Sequence, residues 1–120
     1  MNELPELWEL VELFEMEPIY IYREEKGISW FYNTVNFYIK RGCETLDITI
    51  SPAYGDVSIG LLVGARKIME VNLEHVEGMK IEKLHNKEIL HIFFKEEDET
   101  QKCFIVTKPQ IFVYCNKKHY

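Results

Sequence analysis

An α+β fold, with an N-terminal amphipathic helix packed on a largely antiparallel, strongly twisted sheet or partly open sandwich of about eight strands, is predicted by three observations. Apolar residues recur at helical spacing near the N-terminus, switch to a period of two from residue 19 onward, and are broken by short Gly-, Pro- or Asn-containing turns. A chain of 120 residues suits one domain with its own core, so residues 1–120 are expected to form a helix over 3–16 and then an antiparallel meander over 19–116.

The helix rests on Leu4, Leu7, Trp8, Leu10, Val11, Leu13 and Phe14, an apolar stripe that includes the tryptophan. Asn2 is expected to cap it, Pro5 is tolerated in its first turn, and Pro18 ends it. The opposite positions hold Glu3, Glu6, Glu9, Glu12 and Glu15, a ladder of carboxylates at i, i+3 spacing.

Strands follow in order. Ile19, Tyr20, Ile21 and Tyr22 read as the first, with a turn at 24–27 and a long run over 28–40. A two-residue loop of Arg41 and Gly42 would set Phe37 opposite Leu46 and Val35 opposite Ile48 on an apolar face, with Asn36 opposite Asp47 on a polar one. Residues 51–56 form a loop, and Val57, Ile59, Leu61 and Val63 alternate up to Gly64. Segment 66–76 fits a strand through Met69, Val71 and Leu73, or a helix through Ala65, Ile68, Met69 and Val76; its β-branched content and neighbouring strands favour strand. Strands over 79–84 and 88–95 flank a turn at Asn86, and 96–99 is a charged turn. The last hairpin, centred on Pro109, sets Ile105 opposite Val113 and Val106 opposite Phe112; apolar on both sides, it predicts strands covered on both faces.

The net charge is −6, and its placement is lopsided. Residues 1–22 hold six glutamates, Glu3, Glu6, Glu9, Glu12, Glu15 and Glu17, with no Lys or Arg, whereas the remainder holds fourteen acids and fourteen bases. Like charges at such spacing destabilise a helix, so the ladder is either a solvated face or a docking face for a basic protein. On the second reading Glu6, Glu9, Glu12 and Glu15 are the partner-binding residues. Nucleic acid is disfavoured as a partner, since no basic stripe balances the acidic one. No apolar run reaches membrane-spanning length and the N-terminus is acidic, so neither membrane insertion nor export is expected and the predicted location is cytoplasmic.

Catalytic chemistry finds no motif. His75, His85, His91 and His119 lack metal-ligand spacing, although His85 and His91 flank one turn and define an enzyme alternative. Ser29, Ser51 and Ser58 lie in no nucleophile elbow, and Gly60 to Gly64 lack a phosphate-cradling fingerprint. No catalytic residue, metal or cofactor is assigned. Cys43, Cys103 and Cys115 read as free thiols packed among apolar groups. The hairpin centred on Pro109 would nevertheless set Cys103 opposite Cys115, leaving a disulfide or half a metal site as the alternative. Aromatics at Tyr20, Tyr22, Trp30, Tyr32 and Tyr38 are read first as core, and Tyr22, Trp30 and Tyr32 as a ligand-binding face in the alternative.

The acidic segment over 2–17, followed by the strand series Leu46-Asp47-Ile48-Thr49-Ile50, Val57-Ser58-Ile59, Ile81-Glu82 and Ile89-Leu90-His91-Ile92, resembles the layout of small immunity proteins of bacterial polymorphic toxin systems. The resemblance spans most of the chain in general pattern and carries no diagnostic motif. It implies a non-enzymatic binding module that neutralises a toxin, and transfers no individual functional residue.

Overall fold

The computed structural model describes residues 1–21, 29–94 and 102–116. Tyr22, His119 and the predicted turns at 24–27 and 96–99 lie outside the described residues.

Helix α1 spans Leu7–Phe14 and is shorter at both ends than expected. Proline disfavours helical backbone in the residue before it, so the helix starts after Pro5. Glu6 is the N-cap with extended backbone, and it forms a capping box with Glu9, whose Oε1 accepts the Glu6 N–H at 3.0 Å. Glu15, left-handed at φ 58°, ends the helix before Pro18 is reached. Asn2 does not cap it. The first residues instead run beside strand β6 (Val76–Lys83): the Asn2 N–H donates to the Glu77 carbonyl at 2.6 Å and the Met79 N–H to the Glu3 carbonyl at 2.8 Å. Leu10, Leu13 and Phe14 are buried, and Phe14 stacks on Phe37 at 5.0 Å. Trp8, more than half a helical turn away from Leu10, points off that stripe and is 65% exposed.

Among the described residues, nine strands form two antiparallel sheets, in each of which consecutive strands are neighbours. The first has the order β1 (Ile19–Tyr20), β2 (Val35–Arg41), β3 (Glu44–Ser51), β4 (Asp56–Val63), β5 (Arg66–Leu73). The second has the order β6, β7 (Glu88–Phe94), β8 (Lys102–Lys108), β9 (Phe112–Asn116). Segment 66–76 is thus strand as far as Leu73, and after His75, at φ 60°, Val76 opens the second sheet. The run over 28–40 does not extend as one strand: a 3-10 turn, Trp30–Tyr32, precedes β2, with the Ser29 hydroxyl accepting the Phe31 N–H at 3.3 Å.

The β2–β3 register differs from expectation by two residues. The loop is Gly42 and Cys43, so Phe37 faces Ile48, Val35 faces Ile50 and Asn36 faces Thr49. A shift of two keeps every side chain on its own face, so hydrophobic alternation alone does not distinguish the two registers. Gly42, at φ 61°, takes the first loop position, a backbone state that glycine adopts without steric cost.

The core lies between the sheets. Phe37, Leu46, Ile48, Ile50 and Ile59 from the first meet Met79, Leu90, Ile92 and Ile105 from the second, all buried in one cluster with Leu10, Leu13 and Phe14. Burying each such side chain stabilises the fold by roughly 1.5–3 kcal/mol. The helix packs on the antiparallel sheets, as expected, through Leu10, Leu13 and Phe14. Its carboxylates reach the terminal residues of β2, β6 and β8: Glu15 pairs with Arg41 at 2.9 Å and Lys108 at 3.2 Å, and Glu12 with Lys83 at 2.9 Å.

The last hairpin has the expected register, Ile105 facing Val113 and Val106 facing Phe112. Two expectations about it are corrected. Cys103 and Cys115, directly opposed, form a disulfide, and Cys43 is the free thiol. The hairpin is also not covered on both faces, because the first sheet covers the inner side alone and leaves Phe112 55% exposed.

Candidate functional site

Side chains alternate across a strand, so residues whose neighbours fill the core point outward. On the second sheet this outer set is strongly aromatic. Phe93 and His91 come from β7, Phe104 from β8, and Phe112 and Tyr114 from β9. Cross-strand pairing sets His91 opposite Phe104 and Phe104 opposite Tyr114. The rings are near-parallel: Phe104 lies 5.2 Å from Tyr114 at 17° and 6.1 Å from Phe112 at 29°, and His91 lies 6.5 Å from Phe93. Beside them opens a groove of about 570 Å³ lined by Lys87, Ile89, Phe104, Val106, Gln110 and Phe112. A contiguous exposed apolar patch of this kind marks an interaction surface.

The face is also cationic at its rim. Lys80, opposite His91, Lys102, opposite Asn116, and Lys87 at the groove are exposed and form no ion pair with a described residue. Glu82 is held by the His91 ring at 3.1 Å. The first sheet's outer face is different in kind. Its groove of about 160 Å³ is lined by Asp47, Thr49, Ser58, Gly60, Lys67 and Glu70, and Asn36 donates to Asp47 at 2.5 Å and Thr49 at 3.0 Å.

The four glutamates predicted to bind a partner lie along one short helix, each with an intramolecular role. Glu6 and Glu9 build the capping box, Glu12 holds Lys83, and Glu15 holds both Arg41 and Lys108. The hydrogen bond from Lys108, and then that from Arg41, keeps the Glu15 carboxyl below its ordinary value. Glu88, 2.8 Å away, chiefly raises the Lys108 ammonium, and Glu12 chiefly raises that of Lys83.

Of the predicted ligand-binding aromatics, Trp30 is half-buried against the core, whereas Tyr32 is 73% exposed and meets the Phe31 ring edge-on. Tyr22 lies outside the described residues. His85 is exposed in the β6–β7 turn, while His91 belongs to the aromatic face. Among the described residues no group of three or more His, Cys, Asp or Glu could hold a metal ion, and no helix is long and apolar enough to cross a membrane.

The aromatic face was the feature least visible in the sequence. Its strands read as apolar on both sides, and alternation alone does not say which side a second sheet will cover. The signal that could have found it is the set of lysines Lys80, Lys87 and Lys102, of which Lys80 stands directly opposite His91.

No family model matches the chain, and no curated protein matches it. Among solved structures it is similar to a chain of the contact-dependent growth inhibition toxin–immunity protein complex from Klebsiella pneumoniae 342. That likeness has a TM-score of 0.75 at 16% sequence identity and covers 96% of each chain. It establishes a shared fold, and it agrees with the resemblance to immunity proteins of polymorphic toxin systems read from the residues.

Proposed function

We propose that the protein is an immunity-type inhibitor, which binds a cognate toxin and neutralises it without catalysis. The observation that carries this reading is the likeness, over 96% of both chains, to a component of a toxin–immunity complex. The exposed aromatic face and the uneven charge support it, because interfaces concentrate aromatic anchors and use complementary fields to select partners. The acidic segment is the steering element. Residues 1–21 contribute six negative side chains and no Lys or Arg, so a partner with a basic surface is drawn towards the helix even though Glu12 and Glu15 also hold lysine and arginine.

Bacteria expressing this chain, challenged with a panel of contact-dependent growth inhibition toxin domains, should survive one cognate toxin and succumb to the others. The protected toxin should co-elute with the chain as a stable complex. Reversing Glu6 and Glu12 together to Lys should lower the association rate and flatten its salt dependence. Growth arrest by this chain alone would assign it to the toxin side of such a pair, and protection against no toxin would remove the immunity reading. Unchanged kinetics in the charge-reversed variant would remove only the steering role of the helix.

A further inference from the structure

From the lysine-rimmed aromatic face we infer the close-contact site: the outer surface of β6–β9, with the groove beside Phe104 and Phe112, takes an acidic, apolar-tipped segment of the partner toxin. The inference rests on the inhibitor reading above and goes beyond it by naming the surface and the chemistry of what fits there.

Three observations support it. The first is charge. On a chain of net charge −6, this face presents Lys80, Lys87 and Lys102 without ion-pair partners among the described residues, while Glu82, an acid within it, is held by His91. A partner surface that complements it is therefore acidic. The second is the orientation of the rings. Phe104 stacks with Tyr114 at 17° and with Phe112 at 29°, a packed apolar surface that suits the apolar tip of such a segment. A single-stranded nucleic acid would need free ring faces for base stacking, and the central Phe104 ring is already stacked with Tyr114 and Phe112.

The third observation is position. The N-terminal segment covers the edge of β6 through the Glu3 to Gly78 bridge, whereas β9 has, among the described residues, β8 on one side and no strand on the other. The aromatic face therefore continues to the β9 edge of the described sheet. The groove adjoins the acidic helix, since Pro109 and Gln110 line it and the preceding Lys108 is the ion-pair partner of Glu15. One toxin can thus span both poles, meeting the helix with a basic region and the aromatic face with an acidic one. Such a two-pole arrangement fixes orientation as well as rate.

The test uses the intact chain and the toxin domain against which the growth assay finds protection. Phe112→Ser and Tyr114→Ser change exposed side chains, and Lys87→Glu with Lys102→Glu reverses the rim. Circular dichroism and the urea midpoint report whether each variant is folded. Buried aromatic anchors dominate interface energies, so each pair of substitutions should weaken toxin binding by about 30-fold or more, chiefly through faster dissociation. Amide exchange over β8 and β9 should slow in the wild-type complex. If Phe112 fails to tolerate serine, Phe112→Leu with Lys87→Glu keeps the apolar volume and still reports on the charge. Wild-type affinity in folded variants, with no added exchange protection at β8 and β9, would overturn this surface while leaving the inhibitor reading intact. Binding of a labelled oligouridine, lost on Lys reversal with toxin affinity unchanged, would overturn it in favour of nucleic acid. If no toxin binds the wild type, both readings fall.

Discussion

At the residue scale, two glycines carry constraints of opposite origin. Gly42 needs its missing side chain for conformation: it sits at φ 61° with open space where a Cβ would be. Gly78 needs it for space, because a Cβ there would lie 2.5 Å from the Glu3 carbonyl oxygen and 2.8 Å from the Glu3 Cβ. Gly42→Ala should therefore cost about 1 kcal/mol from left-handed backbone alone, with native contacts kept. Gly78→Ala should cost about 2 kcal/mol by overpacking and should loosen residues 1–4 from β6. Urea unfolding gives both costs, and amide exchange separates the mechanisms, since only Gly78→Ala should speed exchange at Met79, whose N–H bonds Glu3. Trp8 teaches a related lesson: counted within an apolar stripe, it proves to be exposed because the buried set is narrowed to Leu10, Leu13 and Phe14.

At the scale of elements, the last hairpin shows what a correct turn assignment implies. With Pro109 central, the same pairing that aligns Ile105 with Val113 brings Cys103 against Cys115. The favoured sequence reading of free apolar thiols gave way because cysteine burial is satisfied equally by a disulfide, and cross-strand geometry decides between them. Without reductant, native protein should show one thiol reactive towards Ellman's reagent, Cys43, and Cys43→Ser should show none. Reducing the Cys103 to Cys115 bond should lower unfolding stability by about 2–3 kcal/mol, given the short loop it closes. Three thiols titrating in unreduced, unfolded protein would contradict the pairing.

Across the whole molecule, Glu15 ties the three layers together, joining the helix to Arg41 of the first sheet and Lys108 of the second. Its folded pKa is depressed, so the stability it contributes is present above the unfolded carboxylate value and is lost as pH falls through the lower folded value. Because its side chain is about half exposed, solvent screening keeps the contribution near that of surface pairs. Glu15→Gln should be about 1 kcal/mol less stable than wild type at neutral pH, and this gap should close in acid below the folded pKa. For Lys108, raised chiefly by Glu88, the sign is opposite: its contribution is present below the unfolded lysine value and fades as pH rises through the folded one. Urea midpoints across the pH range would test both directions, and added salt should shrink the Glu15 effect.

By itself the sequence determined the α+β class, the existence of most strands, the pairing of the last hairpin and the concentration of acid on one helix. These follow from local periodicity, turn residues and composition, which every chain carries in its order of residues. Tertiary structure alone decided how the strands divide between two sheets, which side of β8 and β9 is covered, and where the helix sits. Val106, Phe104 and Phe112 look like core until the first sheet takes the opposite face, because hydrophobicity records that burial is favourable and not which neighbour supplies it. The same holds for the glutamates: their spacing shows one charged face, but only packing brings Arg41, Lys83 and Lys108 to the ends of their strands to meet it.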